Sequence, residues 1–236
     1  MRLKPSNAFL WTKCLYSVHY LDIPVSKFKT TTGAKKMGIV AHLVANNLLK
    51  GNEPFKNIKG KQLLRNIDKE EVLKNAKWYV KQIKKLVSND MTKLAETSVK
   101  LTDFIPQKNA SGKIDFVAYN EEKLIIVDYK SGMQDVKAKN NPQLILYAAG
   151  MLLNHYDFQG NRVLMYIVQP AKKKVYKDEL SIEKVMKKAA KIKKQAIKAI
   201  KELDICKEGV HCTHCEGFGD CPATKWAKNY FKSEVK

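Results

Sequence analysis

Apolar residues recur along this chain with two periods, and the change from one to the other divides it. Met37, Val40, Ala41, Val44 and Leu48 repeat at helical spacing and mark a buried stripe, which Gly51, Asn52 and Pro54 end. A second long helix is predicted between Lys69 and Val87, with Val72, Leu73, Ala76, Tyr79, Val80, Ile83 and Leu86 on one side and lysines on the other. Ahead of both, Ser6 is placed to cap a short helix carrying Phe9, Leu10 and Cys14, and the segment through Pro24 and Thr30 to Gly33 reads as turn. The strand period then takes over: Ala95 to Phe104, Lys113 to Tyr119 and Lys123 to Lys130, the last two joined by an Asn120-Glu121-Glu122 turn. Asn141 followed by Pro142 is a cap and a first-turn proline, and opens a helix through Leu153. Arg162 to Gln169 is a fourth strand. From Ser181 to Leu203, Val185, Met186, Ala189, Ile192, Ala196, Ile197, Ile200 and Leu203 line the inner face of a lysine-coated helix. This order predicts an α/β domain over residues 1–204, a mixed sheet flanked by helices, with a cysteine-rich segment, 205–236, outside that core.

Composition adds a partner. Lys and Arg number 44 against 23 Asp and Glu, a formal charge of +21, and such a field draws polyanions. Nucleic acid is the expected partner, although the same charge also serves solubility. With 236 residues, 44% of them hydrophobic, the chain can bury a substantial core. The opening MRLKPSNAFLWTK lacks the apolar stretch of a secretory signal, so a reducing cytoplasm is expected and the five cysteines are read as thiols. The longest apolar run, LILYAAGMLL from Leu144, is about half the length of a membrane span, and no membrane role is indicated.

The candidate chemistry lies on the second and third strands. Asp115 stands in SGKID, and Asp128 and Lys130 in IIVDYK. Residues two apart on a strand share a face, so Asp128 and Lys130 project together, and Asp115 can stand beside them. Two carboxylates at a strand edge suit Mg²⁺ or Mn²⁺, and a neighbouring lysine can orient water or stabilise charge on a phosphate. Asp-x-Lys arises often by chance in so lysine-rich a chain, but a charged pair ending the buried strand IIV needs a reason. Gly38 and His42, four apart, share one helix face, as do Gln143 and Tyr147 on the helix after the lysine. Taken singly, such a histidine or tyrosine is more often simply packed.

In order, GxxxH, GxxD, DxK and QxxxY resemble the RecB-type nucleases of the PD-(D/E)xK superfamily, over roughly Gly38 to Tyr147. The resemblance implies a restriction-endonuclease-like core in which His42, Asp115 and Asp128 ligate Mg²⁺ or Mn²⁺, with the Val127 carbonyl assisting. It also implies that Lys130 is catalytic and that Gln143 and Tyr147 support the site. Val127 stands where the superfamily's name has proline, a departure common in this branch. The implied activity is a metal-dependent DNA nuclease, more an exonuclease than an endonuclease. Its substrate would be single-stranded DNA or DNA ends in recombination, repair or replication, with a helicase or recombination protein as possible partner. The rival class is a non-catalytic nucleic-acid-binding protein built around a structural metal site.

The tail carries a second signal. Cys212, Cys215 and Cys221 in CTHCEGFGDCP have a C-x2-C-x5-C spacing followed by Pro222, and thiolates so close together are usually metal ligands in a cytosolic protein. The RecB-like nucleases with an iron-sulfur cluster, such as the AddB nuclease domain and the CRISPR adaptation nucleases, take one cysteine from near the N-terminus and three from the C-terminus. That layout implies a 4Fe-4S cluster on Cys14, Cys212, Cys215 and Cys221, leaving Cys206 over. A Zn²⁺ knuckle of Cys206, Cys212, Cys215 and Cys221 or His214, with Cys14 merely buried, is the alternative. Trp11, Cys14, GxxxH and Gln169-Pro170 further resemble a phage-borne group of such nucleases.

Overall fold

The computed structural model describes residues 3–21, 33–58, 63–154, 158, 160–201 and 204–226. The turn expected through Pro24 and Thr30, the helix terminus at Leu203 and the last part of the tail, 227–236, lie outside the described residues. Five strands form one sheet in the order β1 (Thr92–Lys100), β2 (Ser111–Tyr119), β3 (Lys123–Tyr129), β4 (Arg162–Gln169) and β5 (Lys174–Ser181). Only β3 and β4 pair in parallel, and helix α4 (Pro142–Asn154) makes the crossover between them. α4 starts as its sequence demands, the Asn141 side chain accepting hydrogen bonds from the Gln143 and Leu144 amides at 3.0 and 3.3 Å.

Both faces of the sheet are covered, so β3 and β4 are buried at all but their first residue and mostly apolar. Leu124 and Ile126 of β3 with Val163, Met165 and Ile167 of β4 enter one core, with α4, α5 (Ile182–Lys201) and the N-terminal segment. Their alternates Ile125, Val127 and Tyr129 with Leu164, Tyr166 and Val168 enter the other, against α2 (Gly33–Leu49) and α3 (Lys69–Leu86). The result is an α/β fold of three layers, compatible with a restriction-endonuclease-like core.

Three expectations need correction. β1 starts at Thr92 and ends at Lys100, not Phe104. Leu101, Phe104 and Ile105 are buried in a turn closed by bonds from Leu101 N to Ala110 O and Ile105 N to Leu101 O, and buried apolar turn residues mimic a strand. β5 was not foreseen, because it is a charged edge strand that sends little more than Tyr176 and Leu180 toward the core. The first helix is only α1 (Ala8–Trp11), set between 3₁₀ turns at Pro5–Asn7 and Leu15–Tyr20, and Ser6 caps nothing. The Trp11 indole instead donates to Lys4 O at 3.1 Å, and Cys14 falls at the start of the second turn.

Candidate active site

The sheet opens at one level of three neighbouring strands. The β2–β3 ladder runs from Tyr119 opposite Leu124 to Phe116 opposite Val127 and stops there. Continued by one pair, it would set Asp115 against Asp128. The β1–β2 ladder likewise skips one pair between Ala95–Phe116 and Thr97–Ile114, where Glu96 would face Asp115. Glu96 takes φ +55°, the left-handed region that costs a non-glycine residue roughly 1–2 kcal/mol. Strain of this kind persists where surroundings impose it, often at functional sites.

Each carboxylate has its own partners. Asp115 Oδ2 accepts from Tyr129 N at 2.7 Å, and its Oδ1 lies 3.0 Å from His42 Nδ1. His42 reaches it because Gly38, one turn earlier on α2, leaves space for Ser131, whose Oγ would stand 3.2 Å from a Cβ there. The imidazole also meets the Tyr129 ring edge-on at 5.0 Å. Burial opposes its protonation, but the hydrogen bond and charge of Asp115, with Asp128 and Glu96, outweigh burial and raise the His42 pKa.

Asp128 is only 3% exposed. Its Oδ1 accepts from Gln143 Nε2 at 2.8 Å, and its Oδ2 lies 2.9 Å from Lys130 Nζ, which in turn donates to Gln143 Oε1 at 3.1 Å. The second Gln143 N–H reaches Tyr147 Oη at 3.1 Å. One buried amide thus joins Asp128, Lys130 and Tyr147. Tyr147 fits because Gly112 has no side chain: a Cβ there would stand 2.4 Å from Tyr147 Cε1. Burial raises the Asp128 pKa, with Asp115 adding and Lys130 only partly offsetting it. Burial pulls Lys130 down, but the Asp128 charge and hydrogen bond reverse this and leave its pKa raised. Val127 sits wholly buried in the ladder between Phe116 and Tyr166.

Glu96 was missed in the sequence, which offers no spacing rule for a strand glutamate. In space, His42, Glu96 and Asp115 each bring a ligand atom within 4.8 Å of the other two, a trio that could hold a metal ion. Glu96 also pairs with Lys113. The surroundings fit a cation: Asn46 Oδ1, Tyr79 Oη and Tyr129 Oη are buried without a hydrogen-bond partner, and Asp128 Oδ2 meets the Lys130 ammonium alone. One imidazole with carboxylates is a mixed donor set, which suits Mn²⁺ at least as well as Mg²⁺.

Cys14, Cys206, Cys212, Cys215 and Cys221 all line one small cavity, although nearly the whole chain separates Cys14 from the rest. Cys14 Sγ accepts from Lys207 N at 3.3 Å, and Tyr16 N donates to Ile205 O at 3.0 Å. Burial pushes the Cys206 thiol up to about 11. For Cys221 burial is outweighed by hydrogen bonding from Thr224 and neighbouring groups, and its pKa is lowered. His214 turns away from this cavity toward the Phe9 ring, 5.8 Å distant.

A cleft of about 790 Å³ runs from the site to this tail. Lys130 and Gln143 form one end of its lining, with Lys13, Lys137, Lys139, Lys188 and Lys191 along it and Phe9, Val210 and His214 on its wall. Its acidic residue Asp135 is held by Lys172 and the Tyr176 hydroxyl, which depress its pKa to about 2.

Residues 1–235 match the family described as "Protein of unknown function (DUF2800)", and the chain belongs to that family. No curated protein matches it. Among solved structures, the crystal structure of SSO0001 is 14% identical, with 89% of this chain and 93% of the other covered and a TM-score of 0.36. A phage-related exonuclease from Haemophilus somnus 129PT is 12% identical, with 86% and 95% covered and a TM-score of 0.35. Likenesses at these scores carry no weight for the activity of this chain.

Glu96→Gln keeps the shape of the trio and removes one charge. It is expected to weaken Mn²⁺ binding, read by titration calorimetry, by at least about tenfold, since even changes beyond the direct ligands cost that much. Affinity should also fall as pH falls, because the proton between His42 and Asp115 competes with the ion. Unchanged affinity in a folded Glu96→Gln protein would remove Glu96 from the site.

Proposed function

We propose that this protein is a divalent-metal-dependent deoxyribonuclease, acting by preference as an exonuclease on single-stranded DNA or DNA ends. The observation that carries this is the juxtaposition of a carboxylate–imidazole trio with a buried Asp128–Gln143–Lys130 unit at the end of a basic cleft. His42, Glu96 and Asp115 would hold the metal, with Asp128 and the Val127 carbonyl adjoining. The bound ion supplies Lewis acidity toward a phosphoryl oxygen and a more acidic water.

The residues around it divide the remaining work. Lys130, held by Asp128 and Gln143, is placed to stabilise charge developing on the phosphate. Gln143 fixes the ammonium and the Asp128 carboxylate in one orientation, and Tyr147 fixes Gln143. The lysines of the cleft attract phosphates, while Phe9 and His214 offer ring faces and edges to bases. A duplex hides its bases from such a wall, which favours an unpaired strand.

We further infer that the cysteine cavity holds a 4Fe-4S cluster on Cys14, Cys212, Cys215 and Cys221. Zinc with Zn–S of about 2.3 Å sets its sulfurs roughly 3.8 Å apart. Among the described residues no three cysteine sulfurs lie within 4.8 Å of one another, whereas Cys14, which a zinc knuckle would leave out, lines the same cavity as the tail cysteines.

Two experiments test these readings. With Mn²⁺ and end-labelled single-stranded DNA, Asp128→Asn and Lys130→Gln should each lose at least about a hundredfold in cleavage rate. Binding of the same DNA, measured by anisotropy in Ca²⁺, should persist, and near wild-type turnover in either variant would refute the assignment. In anaerobically purified protein, Cys14→Ser should lose iron and acid-labile sulfide in parallel with the Cys212, Cys215 and Cys221 variants, and should melt earlier. Closing so long a loop is worth about 5 kcal/mol at the upper end of chain-entropy estimates. Zinc without iron, with Cys14→Ser harmless and Cys206→Ser damaging, would establish the knuckle instead.

A further inference from the structure

The side of the metal trio that faces α2 and α3 holds an arrangement that ligation alone leaves unexplained. A small cavity there is lined by His42, Glu96 and Asp115 together with Asn46, Tyr79 and Tyr129. The last three residues each present a buried polar atom, Asn46 Oδ1, Tyr79 Oη and Tyr129 Oη, with no hydrogen-bond partner. Tyr79 and Tyr129 are each 1% exposed, and their rings pack at 4.8 Å. Native proteins seldom leave one buried polar atom unpaired, and three around one cavity, two hydroxyls and an amide oxygen, mark a place where something polar belongs.

Position explains how they come together. Asn46 follows His42 by one helical turn on α2, so both side chains face the same way. Tyr79 lies on the buried stripe of α3. Tyr129 alternates away from Asp128 and Lys130 to the opposite face of β3, while its own N–H is spent on Asp115. Phenylalanine would fill either tyrosine's apolar surroundings without an unpaired hydroxyl, so hydrophobic packing does not account for the tyrosines.

We propose that Asn46, Tyr79 and Tyr129 are positioning residues that hydrogen-bond the water carried by a divalent cation on His42, Glu96 and Asp115. This rests on the metal reading above and extends it to residues that touch the ion only through water. Three protein ligands leave a Mn²⁺ or Mg²⁺ ion with open positions, which such ions fill with water, and each water has protons that need acceptors. The cavity has room on the order of a single water, enough for a bridge and too little for substrate. The outer groups thus fix the ion's water from the α2–α3 side, while the cleft with Lys130 lies on the α4 side of the sheet.

The test separates a useful hydroxyl from a merely unpaired one by the sign of its effect. Without metal, Tyr79→Phe and Tyr129→Phe remove an unpaired buried hydroxyl and should each raise the melting temperature by about 2–4 °C. Titrated with Mn²⁺ alone in a calorimeter, the same variants should bind on the order of tenfold more weakly than wild type. Tyr166→Phe, a buried tyrosine of the same core outside this cavity, is the control and should leave the affinity unchanged. Wild-type affinity in both Phe variants overturns this inference and leaves the metal site standing. A wild-type protein that binds no Mn²⁺ overturns the metal site and this inference with it.

Discussion

A carboxylate buried to the extent of Asp128, at the end of a strand apolar on both faces, is stable only with partners supplied from elsewhere in the chain. Much of the site follows from that constraint. Lys130 returns two residues later on the same side of β3, and the parallel crossover through α4 brings Gln143 over both. The amide serves the carboxylate and the ammonium at once, and Tyr147 one turn on takes its remaining proton. Gly112 then has to be small, since the tyrosine ring occupies the space of its side chain. Each element is in place because a buried charge requires the next.

The N-terminal segment ties this site to the tail. Pro5 lies against Gly112, close to the Tyr147 ring; Phe9, Thr12 and Lys13 line the cleft; and Cys14 enters the cysteine cavity. Backbone bonds from Tyr16 to Ile205 and from Lys207 to the Cys14 sulfur hold the two ends of the chain together. Whatever stabilises the cysteine cavity therefore also sets one wall of the cleft and one support of Tyr147. The cysteine cavity and the Asp128–Gln143–Lys130 unit are thus mechanically connected through the N-terminal segment.

Much of this was legible in the chain because period and capping are local. The α2 and α3 stripes, the Asn141-Pro142 helix start and the i, i+2 pair of Asp128 and Lys130 all follow from spacing, and the structure places them accordingly. What escaped depends on other segments. β5 is recognisable only by the strand it pairs with, since its own residues are mostly charged. Glu96 acquires its place from a skipped ladder pair and a left-handed backbone, neither of which a one-dimensional pattern encodes. Leu101, Phe104 and Ile105 show the reverse error, a buried turn whose apolar residues read as strand.

The claim on which the account turns is that a divalent cation sits where β1, β2 and α2 converge. The most direct measurement is anomalous scattering at the manganese edge from crystals of the wild-type protein grown with Mn²⁺. The account predicts a strong peak among His42 Nδ1, Glu96 and Asp115, on the side of Asp115 away from the Tyr129 amide. A difference map with no peak there, or with manganese bound only elsewhere, would contradict it.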